Sequence, residues 1–168
     1  MKKRLSLIST GGTIEKTYDA YSGLLANRVS VLDVMLASLE LRGVSIDRLA
    51  LMNKDSLDMS EADHALIART AQAEASTHDG VVVVHGTDRL AHSGEAVLAL
   101  GVPRVAVVFT GAMRPYELRN TDALQNLTEA LLAVQILGPG VYLSMHNQVL
   151  AFPGVVKDPR LGSFTRVP

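Results

Sequence analysis

The chain has no cysteine among its 168 residues. That removes a disulfide framework, a thiolate zinc site and a thiol nucleophile at once. No surplus of either charge is present, with 16 basic and 17 acidic side chains. The basic footprint of a nucleic-acid binder is therefore missing. No apolar run reaches the length of a membrane-spanning helix, so no membrane partner is expected. The start, Met1-Lys2-Lys3-Arg4, is basic, but Leu5-Ser6-Leu7-Ile8 is too short for the apolar core of a secretory signal. The expectation is a cytoplasmic protein. No linker, internal repeat or low-complexity stretch breaks the chain, and its length suits one domain over residues 1–168. The dinucleotide fingerprint and the Walker loop are both absent. The five histidines, His64, His78, His85, His92 and His146, do not fall into a zinc spacing such as H-E-x-x-H. Neither a metal nor a cofactor is expected.

What is present alternates. Short β-like runs at Leu5–Ile8, Leu49–Met52, Val81–Val84, Val105–Phe109 and Val141–Met145 are separated by helical patterns. The valine-rich runs at 81 and 105 are continuously apolar, which suits central parallel strands covered on both faces. Ser30-Val31-Leu32-Asp33 and Ser60-Glu61-Ala62-Asp63 both read as capping boxes opening helices. Two more helices are expected over Leu90–Leu100 and from Asn120-Thr121-Asp122 to just before Gly138. The pattern predicts an α/β fold with a doubly wound, mostly parallel sheet flanked by helices and joined by right-handed crossovers. Sites in such sheets form beyond the carboxyl ends of the strands. Here those are the loops 9–13, 53–58, 85–88 and 110–115.

Two of these loops present Gly-Thr directly after a strand. In Ser9-Thr10-Gly11-Gly12-Thr13, paired glycines allow a sharp turn and close approach of a ligand. Alone, it reads equally well as a glycine turn with a polar cap. In His85-Gly86-Thr87-Asp88, Thr87 and Asp88 could simply cap the following helix. A threonine hydroxyl needs a neighbouring base to become a nucleophile, and lysine can serve once burial or neighbours lower its pKa. Lys157 follows the apolar Gly154-Val155-Val156, a position suited to partial burial, although most lysines are simply solvated. His85 is read as a structural hydrogen-bonding residue.

Taken together and in order, Thr10-Gly11-Gly12-Thr13-Ile14, Val84-His85-Gly86-Thr87-Asp88, Thr110-Gly111-Ala112-Met113-Arg114-Pro115, Asp122-Ala123-Leu124-Gln125-Asn126-Leu127 and Asn53–Ser56 resemble the bacterial-type L-asparaginases along essentially the whole chain. The resemblance implies the fold of that family's N-terminal domain and hydrolysis of L-asparagine to L-aspartate and ammonia through a threonine-linked acyl-enzyme. By the same resemblance, Thr13 is the nucleophile and Tyr21, or else Tyr18, is the flap tyrosine that activates it. Thr87, Asp88 and Lys157 form a second triad, in which Lys157 acts as base, Asp88 holds it and Thr87 relays a proton or positions water. Asp88 also pairs with the substrate's amino group and Ser56 binds its carboxylate. Gly12, Gly86 and Ala112 line the substrate, with backbone N–H groups facing the developing oxyanion.

Three departures from the family pattern stand out. Arg89 replaces the usual threonine and adds a positive charge. Leu57 replaces a common glutamine. The chain is about half the family's usual length, and the expectation is a naturally short form without the C-terminal domain. The resemblance also implies a homodimer or homotetramer, with L-asparagine as the small-molecule partner. Two alternatives remain. One is an amidase acting on glutamine or another carboxamide. The other is a non-catalytic amino-acid-binding domain.

Overall fold

The computed structural model describes residues 1–28 and 30–167. Strand β1 (Lys3–Gly11) comes first. A small hairpin of β2 (Thr17–Asp19) and β3 (Leu24–Ala26) follows, then α1 (Leu32–Ala37) and β4 (Val44–Lys54). Next come α2 (Glu61–Ala75), β5 (Gly80–Val84), α3 (Leu90–Ala99), β6 (Ala106–Thr110), α4 (Ala123–Ile136) and β7 (Gly140–Met145). Three short strands complete the order: β8 (Gln148–Ala151), β9 (Val155–Asp158) and β10 (Ser163–Arg166).

Six strands make the main sheet in the order β4-β1-β5-β6-β7-β8. The first five run parallel and β8 is antiparallel to β7. This is the doubly wound, mostly parallel sheet expected from the valine runs. Val81, Val83, Val107 and Phe109 point to one face and pack under α2 and α3. Val82, Val84, Ala106 and Val108 point to the other and pack under α1 and α4. Both sets are buried, which explains why these strands show no polar alternation.

From β1 the chain crosses outward to β4, then returns to add β5, β6 and β7 on the other side. The winding therefore reverses between β1 and β5. In open α/β sheets, ligands bind in the crevice at this reversal. Here the crevice lies between the two Gly-Thr loops.

Two expectations need correction. The crossover β6–α4–β7 advances in the same direction as β4–α2–β5 and β5–α3–β6. Yet α4 lies on the α1 face whereas α2 and α3 lie on the opposite one. Its hand is therefore opposite to the others, against the uniform hand expected of such units. The reason is visible in the packing: the face that α4 leaves is filled by Phe152, Val155 and Phe164, with β9 against α3 and β10 paired to β9. The second correction concerns helix starts. Ser60 forms a full capping box with Asp63. Ser30 does not cap α1, which begins after Val31 with no side-chain cap. The Ser30 hydroxyl donates to the buried carboxylate of Glu15 and accepts only a long contact, 3.4 Å, from the Leu32 N–H.

Candidate functional site

The exit from β1 depends on glycine. Gly11 and Gly12 have φ of +96° and +84°, a region that favours residues without a side chain. A Cβ on Gly11 would fall 2.5 Å from the backbone nitrogen of Lys54, and one on Gly12 would fall 2.4 Å from Cα of Gly86. The chain slips register against β4 between Ser9 and Gly11, and Gly12 N–H donates to the Lys54 carbonyl at 2.9 Å. Thr13 follows, half-buried, at the head of a single 3₁₀ turn over Thr13–Glu15.

The exit from β5 abuts the same spot. His85, Gly86 and Thr87 are buried. A Cβ on Gly86 would lie 2.7 Å from Ser56 Oγ and 3.2 Å from Gly12 Cα. Gly12, Gly86 and Ser56 thus meet through bare backbone and one hydroxyl. Ser56 is itself buried at the start of a 3₁₀ turn, Ser56–Asp58, in which the Leu57 N–H is capped by Asp55. The Asp55 carboxyl is held below its usual range by Lys16, which donates to it at 2.6 Å.

Lys157 reaches this cluster from β9. Its Nζ donates to Thr87 Oγ1 at 2.9 Å and to Asp88 Oδ1 at 2.7 Å. Lys157 is 70 residues from Thr87 in sequence, so the fold alone brings them together. The antiparallel pairing of β9 with β10 sets the strand that carries it. The lysine side chain is partly buried at 22% exposed, as its place after an apolar run predicts, and Asp88 is 42% exposed.

The third loop is held from below. Asp122 accepts from the N–H groups of Met113 and Arg114 at 3.0 and 2.9 Å. His146 reaches Asp122 at 2.7 Å, and Asn126 donates to the Gly111 carbonyl at 2.9 Å. These contacts fix Ala112, but its methyl group packs into the core on the α4 side. Only its backbone can face a ligand.

The structure does not bring Tyr21 to the other residues. Its side chain projects into solvent from the β2–β3 hairpin, 102% exposed, and Tyr18 is 57% exposed. The hairpin is pinned elsewhere. Asn27 donates to the Gly12 carbonyl at 2.7 Å, Arg28 pairs with Asp19 at 2.8 Å, and Tyr18 N–H donates to Glu117.

Several residues near the site carry no signal in sequence. Glu15 is 1% exposed two residues after Thr13, and burial raises its carboxyl above the usual range. Asn27 looks like an ordinary loop residue, and Asp122, legible as a helix start, shows its hold on the Met113 and Arg114 N–H groups only in the fold. Arg89 does not aim its charge into the site. Its Nη1 donates to the Met59 carbonyl at 3.2 Å and its backbone N–H to Ser56 Oγ at 3.3 Å, tying the Ser56 turn to the start of α3. Among the described residues, no group of three histidine, aspartate or glutamate side chains converges as metal ligands, and no helix is long and apolar enough to cross a membrane.

Known proteins resemble the chain in both sequence and fold. The family described as "Asparaginase, N-terminal" matches residues 4–158. An L-asparaginase of Thermococcus kodakarensis is 32% identical over 164 residues, covering 95% of this chain and 49% of that protein. A subunit of the glutamyl-tRNA(Gln) amidotransferase of Haloquadratum walsbyi is 35% identical over 144 residues, covering 84% of this chain and 33% of that one. The chain thus spans half or less of the length of these two relatives. Among solved structures, the thermostable L-asparaginase from Thermococcus kodakarensis superposes with a TM-score of 0.88 at 30% identity, over 98% of this chain and 51% of that one. The probable cytoplasmic L-asparaginase from Campylobacter jejuni gives 0.80 at 26% identity, over 98% of this chain and 53% of that one.

Proposed function

The chain belongs to the asparaginase family, and on that premise we propose that it hydrolyses the side-chain amide of L-asparagine with Thr13 as nucleophile. The observation that carries the reading is the contact of Lys157 Nζ with both Thr87 and Asp88, beside the Gly12–Gly86 junction that presents Thr13. The Thr13 oxygen attacks the amide carbon. The C–N bond breaks, and the hydroxyl proton leaves with nitrogen as ammonia. Water then cleaves the ester, releasing aspartate and restoring the hydroxyl. Thr87, held by Lys157, lies where it can pass a proton to or from that water. Asp88, partly exposed, is available to the substrate's ammonium group, and Ser56 to its carboxylate. Backbone N–H groups around Gly12 and Gly86 face the developing oxyanion. The test is ammonia release from asparagine by the wild type, Thr13→Ala and Thr87→Val. Full activity in both variants would sink the assignment.

A second reading follows from the relatives that belong to amidotransferases. In it the same residues act on glutamine, and the chain works with a partner. Parallel assays on asparagine and glutamine separate the two, since a glutamine preference of about tenfold or more in kcat/KM would favour the second. In either reading we expect self-association. The exposed Leu132 and Ile136 on α4 and Val149 on β8 offer an apolar face for it, and a monomeric mass by light scattering would count against it.

A further inference from the structure

Behind the loop after β5 lies a chain of buried polar groups that hydrolysis as described does not use. His85 Nδ1 lies 2.7 Å from the Gly86 carbonyl oxygen. His85 Nε2 lies 2.8 Å from Ser93 Oγ on α3, and Ser93 Oγ lies 2.8 Å from His64 Nδ1 on α2. His85, Ser93 and His64 are 0%, 0% and 2% exposed. The two imidazoles stack, with ring centroids 6.2 Å apart and planes at 15°, and Phe109 closes the other side of His85 at 6.1 Å. His92 stacks on the far side of His64 at 5.7 Å.

The direction of every hydrogen bond in this chain follows from its first member. A carbonyl oxygen can only accept, so His85 Nδ1 carries the proton. Burial holds His85 well below its ordinary value, at about 4, so the ring is neutral at pH 7 and its Nε2 is a lone pair. Ser93 must then donate to Nε2. Having used its only proton, Ser93 Oγ accepts from His64, which places that proton on His64 Nδ1. The chain ends on His64 Nε2 as an acceptor, which finds no protein partner among the described residues. The charged and titratable groups facing His64 are Glu61 and Asp63 on its own helix and Arg89 and His92 at the start of α3.

The far end of the chain reaches the site. The only cis peptide among the described residues is Phe152-Pro153, so the Gly86-Thr87 peptide is trans. In a trans peptide the N–H points opposite to the carbonyl. With the Gly86 carbonyl turned into the His85 ring, the Thr87 N–H points away from it, and no protein acceptor takes that N–H among the described residues. We propose that His64 and Ser93 are positioning residues that, through the tautomer of His85, fix the Gly86-Thr87 peptide and with it the Thr87 N–H as a donor to substrate. The catalytic half of this rests on the amidase reading; the hydrogen-bond direction does not.

The experiment uses the full chain with ¹⁵N-labelled histidine and observes the imidazole nitrogens at pH 7. His64 and His85 are both expected with the proton on Nδ1, and His85 with its proton on Nε2 overturns the proposal. His64→Leu is then compared with His64→Asn, whose amide nitrogen takes the place of Nδ1. In His64→Leu the Thr87 amide resonance is expected to shift and kcat to fall about tenfold with KM within about twofold, because the lost element acts on the transition state. His64→Asn is expected to restore both. An unchanged Thr87 resonance in His64→Leu, or equal loss in both variants, overturns the proposal. If His64→Leu does not fold, Ser93→Ala deletes the central hydroxyl and carries the same expectations. A wild type that releases no ammonia defeats the amidase reading alone, and the imidazole and Thr87 resonances still decide the relay.

Discussion

The loop after β5 and the hairpin after β1 both meet the Gly12 turn and are built in opposite ways. In the first, His85, Gly86 and Thr87 are buried and locked by hydrogen bonds to α3, β9 and the Ser56 turn. In the second, Tyr18, Tyr21 and Leu24 stand in solvent, and few contacts at the base and flank hold the hairpin down. On the proposed function, the difference separates two tasks. Groups that handle protons need fixed geometry, since small misplacements are costly in rate. A segment that covers a substrate has to be loosely held. Changes on the β5 side should therefore act on kcat and stability, and changes in the hairpin on KM.

The largest effect is expected from Thr13→Ala, which should lower kcat by about 10³-fold or more while leaving the melting temperature nearly unchanged. Retained turnover, measured by ammonia release, would remove Thr13 from its role. Lys157→Met comes next. It keeps the length of the stem but leaves Thr87 and Asp88 without their shared donor, and a loss of about 10²-fold in kcat is expected.

Acidification tests the rigid side without touching the chemistry. The folded state holds His85 at about 4 against 6.5 for the free side chain. Between these values the unfolded chain binds the extra proton, so stability is lost as pH falls from about 6.5 towards 4, by about 3 kcal/mol if this group acts alone. The lowered carboxylates of Asp122 and Asp63 push the same way, and the raised Glu15 pushes against them. Comparison with His85→Gln isolates the histidine: urea midpoints at pH 7 and 4.5 should lie closer together in the variant. An equal difference in both proteins would contradict the burial argument.

Gly12→Ala should cost about 2 kcal/mol, from a positive φ combined with a Cβ 2.4 Å from Gly86. The smallest effect is expected from Asp19→Ala in the hairpin, which frees Arg28, Ser22 and the Tyr21 N–H. A rise of about threefold in KM with no shift in melting temperature is the expected outcome. A large fall in stability there would erase the contrast between the two sides.

Much of this architecture is legible in the residues. Val81–Val84 and Val105–Phe109 read as buried strands from their unbroken apolar runs, and the Ser60 box marks its helix start to the residue. The two Gly-Thr loops are legible too, because a polar pair directly after an apolar strand has few other places to go. Less is visible where long-range contacts decide. β4 runs from Val44, longer than Leu49–Met52, because an edge strand with mixed exposure hides its period. Ser30 has the chemistry of a cap, and only the fold shows that Val31 takes the cap position while the Ser30 hydroxyl turns to the carboxylate of Glu15. The turn at His146-Asn147, with φ of +52° and +59°, starts β8 without a glycine to announce it. Strand order, and hence the reversal between β1 and β5, is not written in any local pattern.

The reach of Lys157 to the loop after β5 has a consequence in time. A chain leaving the ribosome exposes Thr13 first, Thr87 much later and residue 157 later still. The amine that completes the cluster arrives on β9, seated where α4 left its face of the sheet free. On the proposed reading, competence waits until that strand has been made and docked, and a nascent product short of it carries Thr13 without Lys157.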